Sequence, residues 1–227
     1  MRLKKWEDLP EFMRVDEVKP YYLILEKKKF CLLVKRIFDI IMSLVLVVAF
    51  APIMLIISLL IKFDSPGPII YKQVRITQYG RRFRVYKFRT MVNDADKIGT
   101  HVTTQNDIRI TRVGKKIRDT RLDEFPQLFN VLKGDMSFVG TRPEAVKYVN
   151  SYTDEMMATL LLPAGITSMA SIMFKDEAAI LSSETDVDKV YLEKILPQKM
   201  EYNLRAIEEF SLWKDFKTAV MTLGVVI

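Results

Sequence analysis

A long apolar run near the start of the chain constrains the fold more than any other feature. Residues 40–61 contain no charged side chain, and Ser43 and Ser58 are the only strongly polar ones among them. As a helix rising about 1.5 Å per residue, the run is roughly 33 Å long, close to the thickness of a bilayer's hydrocarbon core. This length argues against a buried core helix, and the 39 residues before the run argue against a cleaved signal peptide. We therefore predict a membrane helix.

Basic residues lie on both sides of this run. They are Lys27, Lys28, Lys29, Lys35 and Arg36 before it, and Lys62, Lys72, Arg75, Arg81 and Arg82 after it. A spanning helix usually has its basic excess on one side only. Pro52, near the middle, removes one helical hydrogen bond and kinks the chain. We predict that residues 35–63 form a re-entrant helix that bends at Ala51-Pro52 and returns to the same face. A kinked spanning helix is the alternative.

The net charge of +7 is concentrated in residues 62–121, which sum to +10. Such a segment is typical of proteins that bind nucleic acid, phosphorylated substrates or anionic lipids, and the membrane helix argues against nucleic acid. The single cysteine, Cys31, excludes an intrachain disulfide and a multi-cysteine metal site. The single histidine, His101, excludes a multi-histidine metal site. Carboxylates, arginines, lysines and hydroxyls are therefore left to perform any chemistry.

The remaining patterns predict a helix-rich α+β fold in three parts. These are an interfacial N-terminal segment (1–34), the re-entrant helix (35–63) and a small domain with interfacial helices (64–227). Alternating residues around Gln78-Tyr79-Gly80 predict a short β-hairpin of residues 69–74 and 82–88. Helices are predicted over 112–119, over 124–133 with Gly134 closing it, and over 182–210 with an interruption at Pro197. A polar loop is predicted at 93–104, and an apolar tail at 213–227.

The adjacent carboxylates Asp123 and Glu124 are the strongest candidates for chemistry. Pro126 is tolerated only in the first turn of a helix, so the pair lies at a helix N-terminus, where backbone N–H groups favour anions such as phosphate. Adjacent helical residues point about 100° apart, which suits separate roles as nucleophile and general base. The alternative is that Asp123 is an ordinary N-cap and Glu124 is a first-turn residue without a role in chemistry.

Cations flank the carboxylate pair. Arg118 lies one turn before it and Arg142 follows it, and two guanidinium groups suit a diphosphate through bidentate contacts. Lys87 and Arg89 add two more cations at the end of the second predicted strand. Solvated surface arginines are the alternative. Hard oxygen ligands favour Mg²⁺ over zinc if a metal is present. No Walker-type or GxGxxG sequence occurs, so nucleotide binding of those kinds is not supported.

Seven ordered motifs together resemble the bacterial sugar transferase family, the monotopic polyprenol-phosphate phosphoglycosyl transferases. They are Lys35-Arg36-x-x-Asp39, Asp64-Ser65-Pro66-Gly67-Pro68, Gln73-x-Arg75, Tyr86-Lys87-Phe88-Arg89-Thr90-Met91, Asp107-x-Arg109-x-Thr111-Arg112-x-Gly114, Leu122-Asp123-Glu124-x-Pro126-Gln127-x-x-Asn130-Val131, and Gly134-Asp135-Met136-Ser137-x-Val139-Gly140-x-Arg142-Pro143. The short N-terminus makes the minimal form of this family the expectation.

The resemblance implies a monotopic enzyme of the bacterial inner membrane with its catalytic domain on the cytoplasmic face. Such enzymes move a sugar-1-phosphate from a UDP-sugar to undecaprenyl phosphate and release UMP. By this resemblance Asp123 is the nucleophile that forms a phosphosugar-aspartyl intermediate and a ligand of Mg²⁺, and Glu124 assists the incoming lipid phosphate. The residues expected to bind substrate are Lys87, Arg89, Arg118, Gln127 and Arg142. Anionic membrane lipids are expected partners, and a homodimer is weakly favoured.

Two departures from the family pattern are Thr141, where the family has proline, and Asn203, at a late acidic position. Thr141 is expected to loosen the turn that aims Arg142, and Asn203 is not counted as catalytic. The motifs fit galactose, glucose, an N-acetylhexosamine or a deoxy-amino sugar. Two rival functions stay open: a lipid-acceptor glycosyltransferase that releases UDP, and a non-catalytic membrane adaptor.

Overall fold

The computed structural model describes residues 1–93, 95, 107–177 and 186–226. Its helices are α1 (Lys19–Lys27), α2 (Lys29–Asp64), α3 (Arg112–Asp119), α4 (Gln127–Lys133), α5 (Val146–Val149), α6 (Met169–Met173), α7 (Val187–Val190), α8 (Leu196–Glu208) and α9 (Leu212–Val226). Its strands are β1 (Ile70–Ile76), β2 (Arg82–Phe88), β3 (Met136–Val139) and β4 (Ala164–Thr167). Nearly all of the predicted loop at 93–104 and the start of the predicted helix at 182–210 lie outside the described residues.

The apolar run forms the middle of α2, a single helix of 36 residues with Pro52 inside it. Only 17% of its most apolar 18-residue window is buried, so α2 is not the core helix of a globular domain. Ile41, Val45 and Val48 are among the exposed apolar side chains of this helix. By length and composition, α2 is the one helix in the described part of the chain that could cross a membrane.

The first half of α2 contacts the rest of the protein through a polar stripe of Lys35, Asp39 and Ser43, which recur every four residues and are all buried. Lys35 pairs with Asp215 of α9 at 2.6 Å. Asp39 accepts a hydrogen bond from the backbone N–H of Phe138, at 3.3 Å. The stripe therefore fixes α2 to α9 and to β3.

The second half of α2 is held by apolar contacts. Ile57 and Ile61 form a buried cluster with Phe88 of β2 and Ile117 of α3. Near the other end of α2, Arg36 donates to the carbonyl oxygens of Val131 and Leu132, at 2.6 and 2.9 Å, where α4 ends. A cation at a helix C-terminus is favourable because the last carbonyls are unpaired there. Both halves of α2 therefore contact the same folded unit.

The predicted β-hairpin is confirmed. β1 and β2 pair antiparallel, with Ile70 opposite Phe88 and Ile76 opposite Arg82. Tyr79 and Gly80 in the connecting turn have positive φ values of 60° and 73°. The second sheet, a parallel pair of β3 and β4, has no counterpart in the sequence analysis.

The N-terminal segment, predicted to be interfacial, packs part of its apolar surface on the rest of the protein, and its place at a membrane interface stays a prediction. Its apolar side chains, including Leu9, Met13 and Leu25, are buried in one cluster with Leu161 and Met200. The amphipathic pattern is present, but the apolar face packs on protein. Residues 1–34 therefore share a core with the C-terminal helices, although Phe12 and Phe30 stay exposed.

Two helix predictions differ in detail from the structure. The helix expected over 124–133 begins at Gln127, after a separate 3-10 turn at Leu122–Glu124, and Gly134 closes it with a φ of 85° as expected. Pro197 lies in the first turn of α8, where proline is tolerated. The irregular part is instead a π-helical segment, Tyr191–Ile195, just before it.

Candidate active site

The carboxylate pair lies in a short turn between two helices. Asp123 and Glu124 belong to the 3-10 turn Leu122–Glu124, which follows α3 and precedes α4. Arg121, just before the turn, has left-handed backbone angles of φ 57° and ψ 12°. Such a conformation costs a non-glycine residue about 1–3 kcal/mol and is held by surrounding contacts. The pair was predicted to lie at the N-terminus of an α-helix. It lies instead in this 3-10 turn, just before α4 begins.

Asn130 of α4 fixes this turn against the hairpin. Its side chain is fully buried, donates to the carbonyl oxygen of Arg84 at 2.8 Å and accepts from the N–H of Tyr86 at 2.9 Å. A buried amide that uses both its donor and its acceptor specifies one geometry. It therefore fixes the register of β2, which carries Lys87, against the segment that carries Glu124.

Glu124 is held by two cations. Its Oε1 accepts from Nζ of Lys87 at 2.9 Å and from Nη2 of Arg142 at 3.0 Å. Burial acts to raise the pKa of Glu124, but the charges of Arg142 and Lys87 and their hydrogen bonds outweigh it and hold the pKa well below its ordinary value. Glu124 is therefore ionised and positions both cations.

Asp123 has a different environment. Its residue is 7% exposed, and its carboxylate makes no hydrogen bond or ion pair with any residue that the structure describes. Burial raises the pKa of Asp123 above its ordinary value, although the nearby charge of Lys87 acts against this. A buried carboxylate without donors is poorly stabilised as an anion, so it is available to a metal ion or an electrophile.

The other predicted site residues divide into two groups. Arg118, in the last turn of α3, is close enough for its charge to lower the pKa of Asp123. Gln127 is buried in the first turn of α4. Arg89 is placed elsewhere, because its Nη2 donates to the carbonyl oxygen and hydroxyl of Ser65, at 2.6 and 2.9 Å. The structure therefore brings Lys87, Arg118 and Arg142 to the pair, whereas Arg89 secures the end of α2.

The two departures from the family pattern have defined places. The carbonyl oxygen of Thr141 accepts from the N–H of Gly165 at 2.8 Å, and the N–H of Gly140 donates to Thr167 at 3.0 Å. The backbone of Gly140 and Thr141, just before Arg142, is thus hydrogen-bonded to β4, and the expected loosening by Thr141 stays a prediction. Asn203 is buried in α8, and its nearest polar contact is Sδ of Met200 at 3.8 Å.

A cavity of about 1690 Å³ opens beside the pair. Glu124 and Arg142 line it, whereas Asp123, Lys87 and Arg118 do not. Part of its wall is apolar and comes from α2 and α9; another part is polar and includes Arg75, Glu144 and Lys199. Glu124 therefore contributes to the wall of this cavity, whereas Asp123 does not.

The polar wall contains a buried network that the sequence analysis did not identify. Oε1 of Glu144 accepts from the hydroxyl of Tyr191 at 2.6 Å and from Lys199 at 3.3 Å. Lys199 also donates to Glu177 at 3.1 Å. Arg75 could have been identified from the sequence, since it belongs to the Gln73-x-Arg75 motif. Tyr191 and Lys199 carry no local motif that could have marked them.

Magnesium fits this site only in a limited way. In the described ranges of the chain, no three His, Cys, Asp or Glu side chains group to hold a metal ion. Mg²⁺ is commonly bound by one or two carboxylates together with substrate phosphates, and not by a complete protein cage. The free carboxylate of Asp123 fits that kind of site.

Comparison with known proteins identifies the chain's relatives. The sequence profile described as bacterial sugar transferase matches residues 30–227. The chain is 36% identical over 197 residues to the UDP-N-acetylgalactosamine-undecaprenyl-phosphate N-acetylgalactosaminephosphotransferase of Aeromonas hydrophila, covering 86% of this chain and 44% of the relative.

Two further relatives are glucose-1-phosphate transferases. The UDP-glucose:undecaprenyl-phosphate glucose-1-phosphate transferase of Klebsiella pneumoniae is 40% identical over 194 residues, or 83% of this chain and 39% of the relative. The protein of the same name from Caulobacter vibrioides is 34% identical over 192 residues, or 83% of this chain and 68% of the relative. The chain thus spans less than half the length of the Aeromonas and Klebsiella proteins.

Proposed function

This chain belongs to the bacterial sugar transferase family, and on that premise we propose that it moves a sugar-1-phosphate from a UDP-sugar to undecaprenyl phosphate and releases UMP. The names of the relatives support these donor and acceptor classes. Because those relatives use different sugars, the donor is proposed only as a class.

The contrast between the two carboxylates is the observation that carries this proposal. Glu124 is bound by Lys87 and Arg142, whereas the carboxylate of Asp123 has no partner among the described residues. A nucleophile needs an unengaged oxygen, and a general base needs contact with the incoming group. The geometry supports Asp123 as the nucleophile and Glu124 as the residue that assists the acceptor.

In the first step, a carboxylate oxygen of Asp123 attacks the phosphorus that carries the sugar. The new O–P bond forms as the bond from that phosphorus to the bridging oxygen breaks, and UMP leaves with the electron pair. Lys87 and Arg118, whose charges act on Asp123, stabilise charge on the transferring phosphoryl group. The product is a phosphosugar ester of Asp123.

In the second step, a phosphate oxygen of undecaprenyl phosphate attacks the same phosphorus and the Asp123 carboxylate is released. Glu124 is a weak base while two cations hold its pKa low. When Arg142 turns to the acceptor phosphate, Glu124 loses one of these cations and its pKa rises. Glu124 can then take the proton of a monoprotonated acceptor phosphate.

Mg²⁺, which Asp123 would hold together with the substrate phosphates, would supply neutralising charge for the diphosphate. Arg142 supplies a planar guanidinium suited to bidentate contact with phosphate. With Lys87 and Arg118, it would bind the anionic groups of both substrates.

We also propose that α2 is re-entrant and that the catalytic domain lies on the cytoplasmic face of the inner membrane. Both halves of α2 contact one folded unit, through Asp39 with β3 and through Ile61 with α3. A spanning helix would draw one of those contacts across the bilayer. A bend at Pro52 lets both ends stay on one side.

The test is Asp123→Asn in the membrane-bound protein, with UMP release from a panel of UDP-sugars as the readout. We expect a loss of at least about 10⁴-fold, as for other removed nucleophiles, with membrane binding unchanged. The matched control is Asp154→Asn, an exposed aspartate away from the pair. Full turnover in Asp123→Asn would exclude the covalent mechanism. Release of UDP by the unmodified protein would support the glycosyltransferase, and absence of any donor turnover would support the adaptor.

A further inference from the structure

One cation on the wall of the cavity beside Glu124 has no partner in contact with it. Arg75 of β1 is partly buried, and it makes no hydrogen bond or ion pair with any residue that the structure describes. A guanidinium keeps its charge at physiological pH, and burial of a charge is unfavourable unless an opposite charge offsets the lost hydration. Arg75 is therefore a candidate to bind an anion that enters the cavity.

The overall charge of the cavity does not by itself favour an anion. Seven carboxylates and seven basic side chains line it. Four of the bases form ion pairs, namely Lys35, Arg142, Lys147 and Lys199. Arg121 and Lys175 are exposed to solvent, as are the carboxylates without an ion pair, apart from Asp39 on the polar stripe of α2. Among the described lining residues, Arg75 is therefore the one partly buried base that has no carboxylate in contact.

Glu144 is the carboxylate best placed to pair with Arg75. The backbone N–H of Ile76, the residue after Arg75, donates to the carbonyl oxygen of Glu144 at 3.1 Å. Burial lowers the pKa of Arg75, and the charge of Glu144 acts against this. The carboxylate of Glu144 is nevertheless bound by other donors, because Oε1 accepts from the hydroxyl of Tyr191 at 2.6 Å and from Lys199 at 3.3 Å.

These two donors are themselves held in place. Nζ of Lys199 also donates to Glu177 at 3.1 Å and to the hydroxyl of Tyr191 at 3.0 Å, so all three of its N–H donors are engaged. The ring of Tyr191 packs on that of Tyr148, with centroids 4.5 Å apart. Tyr191 also begins the π-helical segment, and such segments are frequent at functional sites. Lys199 and Tyr191 therefore fix the position of the Glu144 carboxylate.

We propose that Lys199 and Tyr191 hold the carboxylate of Glu144 away from Arg75, so that the Arg75 guanidinium binds a phosphate group of a substrate. This inference rests on the proposed function. A guanidinium without a carboxylate partner offers phosphate two parallel N–H···O bonds. Arg142 lines the same cavity, and its charge acts on Arg75, so a phosphate between them meets two cations. This phosphate belongs to the donor diphosphate or to the acceptor monoester, and the test distinguishes them.

The first variant removes the guanidinium. Arg75→Met keeps the apolar stem and should raise the KM of one substrate about 10–100-fold, the loss expected for hydrogen bonds to a charged group. UMP release in one turnover without acceptor gives the KM for the UDP-sugar, and steady-state turnover gives the KM for undecaprenyl phosphate. A higher donor KM assigns Arg75 to the diphosphate, and a higher acceptor KM alone assigns it to the acceptor. Arg82→Met, exposed on the neighbouring strand, is the control. Unchanged KM values for both substrates would overturn the proposal.

The second variant tests the role of the network. Lys199→Met releases Glu144 to pair with Arg75, so the KM that responds to Arg75→Met should rise here as well. Adding Glu144→Gln removes the competing charge and should lower that KM again, whereas a purely structural role of Lys199 predicts no recovery. Lys194→Met, exposed on the π-helical segment, is the control. No recovery in the double variant would overturn the proposal.

A milder change protects this test against misfolding. Tyr191→Phe keeps the ring and removes only the hydroxyl that donates to Glu144, so it should raise the same KM, and Glu144→Gln should reverse the rise. An unchanged KM in Tyr191→Phe together with an unfolded Lys199→Met would overturn the role of the network. Absence of UMP release by the unmodified protein is a different result, since it contradicts the proposed function and this inference falls with it.

Discussion

The ring of Phe50 on the membrane helix stacks on the ring of Phe125, with centroids 4.8 Å apart and 29° between the ring planes. Phe50 lies two residues before Pro52, and Phe125 directly follows Glu124. The region where α2 is expected to bend therefore touches the turn that carries both carboxylates. This contact therefore helps to hold α2 beside the turn.

Removal of this stack should reduce activity. Phe50→Ala loses an aromatic pair worth about 0.5–1.5 kcal/mol beyond its burial, which corresponds to a fall in kcat/KM of up to about tenfold. Phe50→Leu keeps much of the apolar volume, so its kcat/KM should lie between those of Phe50→Ala and the unmodified protein. UMP release measured with both variants in the same lipid nanodiscs checks this. Equal activity of all three proteins would contradict a positioning role.

Loss of the Glu124 charge should free both cations and remove assistance to the acceptor. We expect Glu124→Gln to lower turnover about 10²–10⁴-fold, the usual range for a removed general acid or base. Glu193→Gln, at an exposed position, is the control. In the variant a covalent phosphosugar adduct should accumulate, because the second step is slowed more than the first. Intact-mass spectrometry after donor addition would detect it, and an unchanged steady-state rate would refute the assignment.

The pH dependence of activity should respond to Lys87. Asp123 must be ionised to attack, so activity falls as the pH drops through its pKa, which burial raises and Lys87 lowers. Lys87→Met removes this lowering influence, so the acid limb of kcat/KM should move to higher pH. The pKa of Glu124 moves in the same direction. Lys72→Met on the neighbouring strand, exposed to solvent, should leave the limb in place. If the acid limb stays in place or moves to lower pH in Lys87→Met, Lys87 does not lower the pKa of the group that must be ionised, and the assignment of Asp123 is contradicted.

The topology proposal predicts which side of the membrane each end of α2 occupies. In a Cys31→Ser background, Phe30→Cys and Lys72→Cys place exposed cysteines in the first turn of α2 and beyond its last residue. Both should react with an impermeant maleimide from the cytoplasmic side only. Val48→Cys, on a residue that is 68% exposed, should be protected by lipid from either side. Labelling of the first two from opposite sides would establish a spanning helix.

The left-handed backbone of Gly67, three residues after α2, gives a stability prediction. Gly67 has a φ of 124°, and a Cβ there would lie 2.3 Å from Nη1 of Arg89. Gly67→Ala should therefore lower the free energy of unfolding by about 1–3 kcal/mol. Gly224→Ala is the matched control, since nothing lies within 4 Å of its added Cβ. Thermal unfolding in detergent compares the two, and equal midpoints would show that Arg89 is not packed against Gly67.

Local patterns in the sequence determined several elements correctly. The uncharged run forms α2 because helix length and hydrophobicity are properties of consecutive residues. The hairpin follows from alternation on either side of Gln78-Tyr79-Gly80, and Gly134 ends α4 because its φ of 85° suits glycine. The carboxylate pair was identified from Pro126 and from the family motif.

Tertiary structure alone decided what these elements contact. The N-terminal segment is amphipathic by sequence, and only the tertiary structure shows that its buried apolar residues pack against α8. Arg89 and Lys87 are two residues apart on the chain, yet one binds Ser65 and the other Glu124, because Lys87 belongs to β2 whereas Arg89 follows the end of that strand. The contrast between Asp123 and Glu124 likewise depends on Arg142, 18 residues beyond Glu124. Short-range patterns specify helices and turns, whereas charge pairing across the fold depends on long-range packing that no local motif encodes.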